Sequence, residues 1–298
     1  MDQLSQPYVR RFQILQALHE YGPLSGRALR QIVCPPMSER GIQKALKRLS
    51  DHSLIIPCHG SLPKNCGHYY QLCHSEKSRH EIKGILKLIE KLPKISPFRG
   101  QDLYHSEECA LWSTRLQAAL PQAEVISERR IRQNKKILDT LCYSSDDVEF
   151  IPDMLIQLPN QEQTRLVQIA IEVERFTKSE RRLTEKLRRF ASCPSIDGVI
   201  YICVHHTNSE VIRGIYQKKV IPNTYRIKPY KDYFLLLVDG SKQWQLSPLT
   251  MSNSVRADVS LTHWIQVLAH TQVDQRRNHD FELGTGVGPT TATNSTQS

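Results

Sequence analysis

The stretch Leu166–Glu174 is the part of the sequence that most restricts the fold. It reads LVQIAIEVE, and this run of β-forming and apolar residues predicts a strand. Side chains alternate along a strand, so Glu172 and Glu174 lie on the same face. Burying two carboxylates is costly unless something compensates their charge. The end of this strand is therefore the first candidate for a chemically active site.

A second strand, predicted over residues 150–158, adds a third acid. A hairpin loop over residues 159–164 joins the two strands and brings Asp153 towards Glu172 and Glu174. Carboxylates favour hard cations such as Mg²⁺ or Mn²⁺. Such a site can activate water and stabilise the anionic transition state of phosphodiester cleavage. The alternative is an exposed strand end, where these charged residues reach water or neighbouring arginines.

Three more residues extend this predicted site. Lys178 and Lys186 follow on the chain and can present positive charge to the same phosphate. Glu128, on a strand predicted over residues 123–129, offers a fourth carboxylate. The predicted catalytic residues are Asp153, Glu172, Glu174, Lys178 and Lys186, and the predicted metal ligands are Asp153, Glu172, Glu174 and Glu128.

The rest of this part of the chain predicts a mixed α/β sandwich. Helices are predicted over residues 106–120, 179–190, 208–218 and 260–271, and further strands over residues 198–204 and 233–239. His105 opens the first of these helices, where a helix cap is favoured over a phosphate contact or an active-site base. Residues 130–148 predict a turn or a loop. The basic residues at its start predict either phosphate contacts or a solvated charged face, and they are Arg129, Arg130, Arg132, Lys135 and Lys136.

The first 75 residues predict a separate module of three helices and a hairpin. The helices are predicted over residues 8–20, 26–33 and 38–52, and the strands over residues 54–56 and 69–72. This is the order of a winged helix, whose third helix enters the major groove of DNA. The predicted DNA contacts on the third helix and the wing are Arg40, Gln43, Lys44, Lys47, Arg48 and Lys64. A winged helix that contacts only proteins is the alternative.

The wing is also rich in possible zinc ligands. Their spacing fits no common zinc finger, so incidental side chains are favoured over a metal site. These residues are Cys58, His59, Cys66, His68, Cys73 and His74.

The basic composition indicates either solubility alone or a polyanionic partner, and charge by itself does not separate nucleic acid from an anionic membrane surface. The net charge is +10 and the pI is about 9.2, and cationic side chains that neutralise phosphates supply sequence-independent affinity for nucleic acid. No apolar run approaches the roughly 20 residues of a membrane span. Residues 1–11 are too polar for a signal peptide. The eight cysteines are scattered without a CxxC pair, which predicts reduced thiols in a cytoplasmic protein. No membrane partner is expected.

Two family resemblances follow from the acidic motif. Pro152-Asp153, the hairpin and Glu172-Val173-Glu174 resemble the PD-(D/E)xK nuclease pattern, except that Glu174 stands where that pattern has lysine. In that superfamily the lysine can move to the next helix, and Lys178 or Lys186 could satisfy this.

Over residues 8–240 the chain also resembles the replication-relaxation family, which includes MobC-type plasmid mobilisation proteins. Members join an N-terminal winged helix to a P-D motif, an E-x-(E/D) motif and a helix rich in Arg, Lys and Leu that ends on an aromatic residue. Here that helix runs from Arg181 to Phe190.

The resemblance implies a relaxase, an enzyme of conjugation that nicks one strand at the transfer origin of a plasmid or integrative element. It implies Mg²⁺ or Mn²⁺ and a type IV coupling protein as partner. The residue pattern itself divides the chain into a winged helix (1–75), a linker helix and hinge (76–100), a PD-(D/E)xK-like domain (101–273) and a polar, disordered tail (274–298). Pro93 and Pro97 place the hinge near residues 93–100. Two alternatives stay open: a non-catalytic regulator of replication or transcription with an inert nuclease fold, and a site-specific endonuclease that cuts both strands as a homodimer.

Overall fold

A computed structural model describes residues 6–33, 35–58, 68–86, 100–141, 150–159, 166–176, 178–224, 231–239, 251–253, 261, 263–265 and 267–268. The fold in these ranges is mixed α and β. A three-stranded sheet lies in the first part of the chain and a six-stranded sheet in the second. None of the helices in these ranges combines the length and the apolar character that crossing a bilayer requires.

Three helices and a small sheet form the first unit. The elements are α1 (Gln6–Tyr21), β1 (Leu24–Ser25), α2 (Gly26–Ile32), α3 (Glu39–Asp51), β2 (Ile55–Pro57) and β3 (Tyr69–Leu72). The sheet is antiparallel in the order β1-β3-β2, so β3 lies in the middle. The predicted order of three helices followed by two strands is confirmed. The two-residue strand β1 was not predicted.

Serine caps fix the beginnings of α2 and α3. The Ser25 hydroxyl accepts a hydrogen bond from the Ala28 N–H, and the Ser38 hydroxyl accepts one from the Gly41 N–H, each at 3.1 Å. These contacts pair N–H groups that have no partner within the helix. The buried face of α3 packs on the core of the first unit and is made by Ile42, Leu46 and Leu49.

Two longer helices follow, α4 (Glu76–Leu86) and α5 (Gly100–Ala119). Helix α5 packs on both parts of the molecule. Ala110 is fully buried in the core of the first unit, whereas Trp112 and Leu116 belong to the core of the second. The Glu107 carboxylate also accepts a hydrogen bond from the Ser25 N–H at 3.3 Å. Helix α5 therefore joins the two units, while most of the predicted hinge near residues 93–100 lies outside the described residues.

The second unit is a six-stranded sheet with helices in its connections. Its strands are β4 (Glu124–Ser127), β5 (Met154–Pro159), β6 (Leu166–Glu174), β7 (Gly198–Cys203), β8 (Leu235–Asp239) and β9 (Met251–Asn253). Their order is sequential, with β6, β7 and β8 parallel and the other neighbours antiparallel. The helices are α6 (Glu128–Gln133), α7 (Lys135–Thr140), α8 (Glu180–Ser192), α9 (His206–Ile215) and α10 (Lys231–Phe234), and α9 continues as a π-helical turn (Tyr216–Val220) and a 3₁₀ turn (Ile221–Asn223).

The register of the sheet places the acidic end of β6 beside the beginning of β5. Met154 pairs with Ile171 across the antiparallel β5–β6 ladder. On the other side, Glu172 lies opposite Tyr201 of the parallel strand β7. Parallel strands need a crossover connection, and α8 supplies it between β6 and β7. Helix α8 is thereby held next to the end of β6.

A helical segment near the end of the described chain packs tightly on β7. Residues 261, 263–265 and 267–268 are helical. A Cβ atom at Gly198 would lie 2.6 Å from Leu268 Cδ1 and 2.8 Å from Trp264 Cη2, so only glycine permits this approach. The predicted last helix therefore belongs to the second unit.

Several predicted boundaries in the second unit were wrong. Helix α5 begins at Gly100 instead of residue 106, and Asp153 precedes β5 instead of lying within its strand. Strand β4 ends at Ser127, and the residues after it form α6 and α7 instead of a loop. The reason is local, because Ser127 and Asn134 cap these helices through hydrogen bonds from Arg130 N (3.4 Å) and Ile137 N (3.3 Å).

Strands predicted over residues 150–158, 166–174 and 198–204 are confirmed to within a few residues. The last predicted strand, over residues 233–239, is observed as β8 from Leu235, after the short helix α10. The predicted hairpin loop, apart from Pro159 in β5, and the tail at 274–298 lie outside the described residues.

Candidate functional site

Three predicted carboxylates lie close together at one end of the β5–β6 hairpin. Asp153 directly precedes β5, and Glu172 and Glu174 share a face at the end of β6. Glu172 is 0% and Glu174 2% exposed, and the Asp153 side chain is 11% exposed. The alternative of an exposed strand end is therefore wrong. Buried carboxylates of this kind need partners.

Both predicted lysines contact these acids. Lys186, from the buried side of α8, places its Nζ 2.6 Å from Glu172 Oε2 and 3.4 Å from the Ile151 carbonyl oxygen. Lys178 places its Nζ 2.9 Å from Glu174 Oε2 and 3.9 Å from Glu172 Oε2. Lys186 therefore brings a positive charge from helix α8 to the acidic end of β6.

Asp153 is held on two sides. Its Oδ2 accepts a hydrogen bond from the Val173 N–H at 2.7 Å, and its Oδ1 lies 3.2 Å from His105 Nε2. Burial alone would raise the pKa of Asp153, but His105 and Lys186 hold it well below its ordinary value. Burial lowers the pKa of His105, but Cys109 and Asp153 outweigh this effect and raise it above its ordinary value. Asp153 is therefore a charged carboxylate at neutral pH.

The favoured role of His105 as a helix cap was wrong. The residue lies inside α5, because that helix begins at Gly100. Its Nε2 lies 3.6 Å from the Sγ of Cys109, one helical turn further on, as well as near Asp153. His105 and Cys109 therefore belong to the surroundings of the candidate site.

Burial shifts the pKa of both glutamates upwards, in contrast to that of Asp153. Burial raises the pKa of Glu172 to about 7, although Lys186 and Lys178 lie beside it. Burial also raises the pKa of Glu174. Two buried oxygens here have neither a hydrogen bond nor an ion pair among the described residues, Glu172 Oε1 and the Tyr201 hydroxyl. Burial raises the pKa of Tyr201 well above its ordinary value, so its hydroxyl is a neutral donor.

These carboxylates offer the oxygen ligands that a hard divalent cation prefers, but among the described residues their oxygens do not converge as the ligand atoms of His105, Cys109 and Asp153 do. Asp153, Glu172 and Glu174 offer only carboxylate oxygens, and one buried oxygen of Glu172 lacks a partner. Glu128 does not join them: it is the first residue of α6, and its half-exposed carboxylate pairs with Arg132. The positive charge beside the glutamates comes from Lys178 and Lys186.

An aromatic and cationic surface borders the acids. Phe176, two residues after Glu174, is 64% exposed. The Arg175 guanidinium lies 5.7 Å from the Phe176 ring centroid and 4.8 Å from that of Tyr104, which adjoins His105 on α5. Planar rings and guanidinium groups of this kind stack with unpaired bases.

The outer face of α3 is exposed as predicted. Its polar and cationic side chains all reach solvent, and they are Arg40, Gln43, Lys44, Lys47 and Arg48. A cavity of about 460 Å³ between α1 and α3 is lined partly by the cations Arg10, Arg11, Lys44 and Arg48. The predicted wing contact Lys64 lies outside the described residues.

The basic run after β4 is divided between different roles. The Arg129 guanidinium donates to the His19 carbonyl of α1, so its predicted phosphate contact is replaced by a contact within the protein. Arg130 pairs with Glu124 at 2.5 Å, and Arg132 pairs with Glu128. Lys135 and Lys136 on α7 are exposed.

The possible zinc ligands of the wing do not converge where they are described. Cys58 and Cys73 are free, half-buried thiols. His59 and Cys66 lie outside the described residues. Among the residues that the structure describes, the metal-binding side chains that do converge as a group of three are His105, Cys109 and Asp153.

Comparison with family models, with curated proteins and with solved structures finds no match to this chain.

Proposed function

We propose that this protein nicks DNA in a metal-dependent reaction, with a winged helix as its first unit and a PD-(D/E)xK-like nuclease fold as its second. The observation that carries the proposal is the buried group of Asp153, Glu172 and Glu174 with the Lys186 Nζ 2.6 Å from Glu172. Buried acids at the end of a hairpin, with a lysine supplied by the following helix, fit cleavage of a phosphodiester better than they fit a purely structural core.

The residues of the site have separable roles in this proposal. Asp153, Glu172 and Glu174 would hold Mg²⁺ or Mn²⁺, which lowers the pKa of a bound water and stabilises negative charge on the phosphate. Lys186 is held by Glu172 and by the Ile151 carbonyl, so its ammonium group is already oriented before DNA binds. Lys178 is 28% exposed and can contact the phosphate from the solvent side.

Binding to duplex DNA is supported by the first unit. The exposed face of α3 has the length and the polar side chains of a helix that reads a major groove. The cations around the neighbouring cavity suit phosphate contacts, which add affinity without sequence preference. Arg175 and Phe176 offer a stacking surface to an unpaired base beside the acids.

The resemblance to the replication-relaxation family narrows the proposal to a relaxase that acts at a transfer origin. A type IV coupling protein is then the expected protein partner. These two points rest on the motif from Ile171 to Phe190 and on the order of the two units.

The test is incubation of the purified protein with supercoiled plasmid that carries its native genomic neighbourhood, with Mg²⁺, with Mn²⁺ and with EDTA. We expect metal-dependent open circles. Glu172→Gln keeps the shape of the side chain and removes its charge, so it should abolish nicking and leave a gel shift of the same DNA intact. Glu185→Gln, at an exposed glutamate of α8, is the matched control. Nicking by Glu172→Gln at the wild-type rate would contradict the site, and linear product would identify a double-strand endonuclease.

A non-catalytic DNA-binding regulator is the second candidate. The observation in its favour is that Glu174 replaces the usual lysine and that lysines already neutralise both glutamates. An inert fold predicts a clear gel shift, unchanged plasmid and no rise in melting temperature with Mn²⁺. A cation that binds the folded chain would stabilise it by a few kcal/mol when its concentration is well above its dissociation constant. At a concentration 100 times that constant the gain is about 2.7 kcal/mol.

A further inference from the structure

Three side chains at the candidate site, one of them the Asp153 carboxylate, converge as a group that the sequence analysis did not predict. His105 and Cys109 lie one turn apart on the same face of α5, and Asp153 approaches them from the beginning of β5. His105 Nε2 lies 3.2 Å from Asp153 Oδ1 and 3.6 Å from Cys109 Sγ. The three ligand atoms all lie within 4.8 Å of one another.

These separations match those of ligands around one tetrahedral Zn²⁺ ion. With the usual bond lengths, a nitrogen and an oxygen ligand stand about 3.3 Å apart, and a nitrogen and a sulfur ligand about 3.6 Å apart. A metal could therefore bind with little movement of the helix or the strand. Three protein ligands would leave a fourth position open to water or substrate, as in catalytic zinc sites.

We propose that His105, Cys109 and Asp153 form a binding site for a thiophilic divalent transition metal, with Zn²⁺ as its natural ion. The sulfur and imidazole donors exclude Mg²⁺ as a good fit, because Mg²⁺ selects oxygen ligands. The site shares Asp153 with the proposed nuclease centre. It does not rest on nuclease activity, because its donor set is defined by these three side chains alone.

The surroundings support binding. Asp153 Oδ2 accepts the Val173 N–H, which fixes the carboxylate and leaves Oδ1 directed at His105. Cys109 is 6% exposed and therefore shielded from bulk solvent, whereas the His105 side chain is 35% exposed and gives the ion a route to the site. Binding would release the thiol proton of Cys109, and any second proton on His105, to water.

The test is titration of the metal-free full chain with Co²⁺, which replaces Zn²⁺ and reports its ligands in the absorption spectrum. We expect one equivalent to bind with a thiolate-to-cobalt charge-transfer band, and Zn²⁺ to displace it. Cys109→Ala should remove this band, and His105→Ala should weaken Co²⁺ binding at least about ten-fold. Cys193→Ala, at another buried cysteine, is the matched control and should keep the band.

The wild-type spectrum decides the proposal even if a variant fails to fold. A folded wild-type chain that shows no charge-transfer band at saturating Co²⁺ overturns it, and so does a band that survives in folded Cys109→Ala. In that case the three side chains form a hydrogen-bonded group without metal. Glu172→Gln separates the two proposals, because it should lose nicking and keep the band. A chain that nicks DNA with Mg²⁺ but shows no band overturns only the transition-metal site.

Discussion

Lys186 and Glu172 form an ion pair inside the protein, where either charge without its partner would destabilise the fold. Lys186 is 7% and Glu172 0% exposed on their side chains. Removing one partner of a buried pair typically costs about 3–5 kcal/mol, whereas replacing both with apolar residues can be neutral.

We therefore expect Lys186→Met to lower the free energy of unfolding by about 3–5 kcal/mol. The double variant Lys186→Met, Glu172→Leu should recover much of this loss, because neither member of this pair then leaves an unpaired charge behind. Lys178→Met should cost less, since Lys178 is 28% exposed. Urea denaturation measures all three variants. Equal losses for Lys178→Met and Lys186→Met would show that burial does not decide the effect.

For single residues, the sequence predicted the positions of the acidic side chains better than it predicted their contacts. Alternation along β6 was enough to place Glu172 and Glu174 on one face. The contacts of Lys186 with Glu172 could not be derived, because they depend on how α8 packs against the sheet. His105 was misjudged because helix α5 was predicted from residue 106 and begins at Gly100, and Tyr201 carried no signal at all within an apolar strand.

Among the elements, α3 carries the prediction about DNA. Each phosphate contact that is lost should reduce the slope of log affinity against log salt by about 1. We expect Lys47→Ala and Arg48→Ala each to weaken binding to duplex DNA and to lower this slope, measured by fluorescence anisotropy at several salt concentrations. Lys218→Ala, at an exposed lysine of the second unit, is the control. An unchanged slope in both α3 variants would favour a module that contacts proteins.

The contact between α1 and α6 carries a prediction about pH. His19 is buried at the end of α1, and burial together with Arg129 lowers its pKa from 6.5 to about 4. Between these values the unfolded chain binds a proton at His19 that the folded chain does not. Stability therefore falls as pH decreases from about 7 towards 4. As the pH decreases over this range, we expect the melting temperature of His19→Gln to fall less than that of the wild type, measured by thermal denaturation. Parallel pH profiles for the two proteins would contradict this.

The elements also show where sequence patterns are ambiguous. Strand β6 was predicted to the residue and helix α8 to within two residues, since burial imposes their periodicity, whereas β5 begins four residues later than predicted. The basic run after β4 was taken for a loop because its charges outweighed its caps. Ser127 and Asn134 were the available signals, and each begins a helix of only six residues. The strand β1 is too short to leave a pattern.

For the whole molecule, α5 makes the two units depend on each other. Ala110 is fully buried against the first unit, while the same helix lines the second. We expect Ala110→Leu to destabilise the protein by about 1–3 kcal/mol through overpacking. Amide exchange should become faster in α1 and in β6 together. Ala118→Leu, at an exposed position of the same helix, is the control. Faster exchange in the first unit alone would show that the units are independent.

Helix α5 also fixes the distance between the candidate site and the first unit. His105 faces the acids and Ala110 is buried against the first unit, and five residues of helix span only about 7.5 Å. If, as proposed, the first unit binds DNA and the second cleaves it, the cleavage would fall at a fixed number of base pairs from the bound sequence. Target sites for such a protein would tolerate substitutions in the intervening base pairs far better than insertions, because an added pair both displaces the scissile phosphate and rotates it around the duplex.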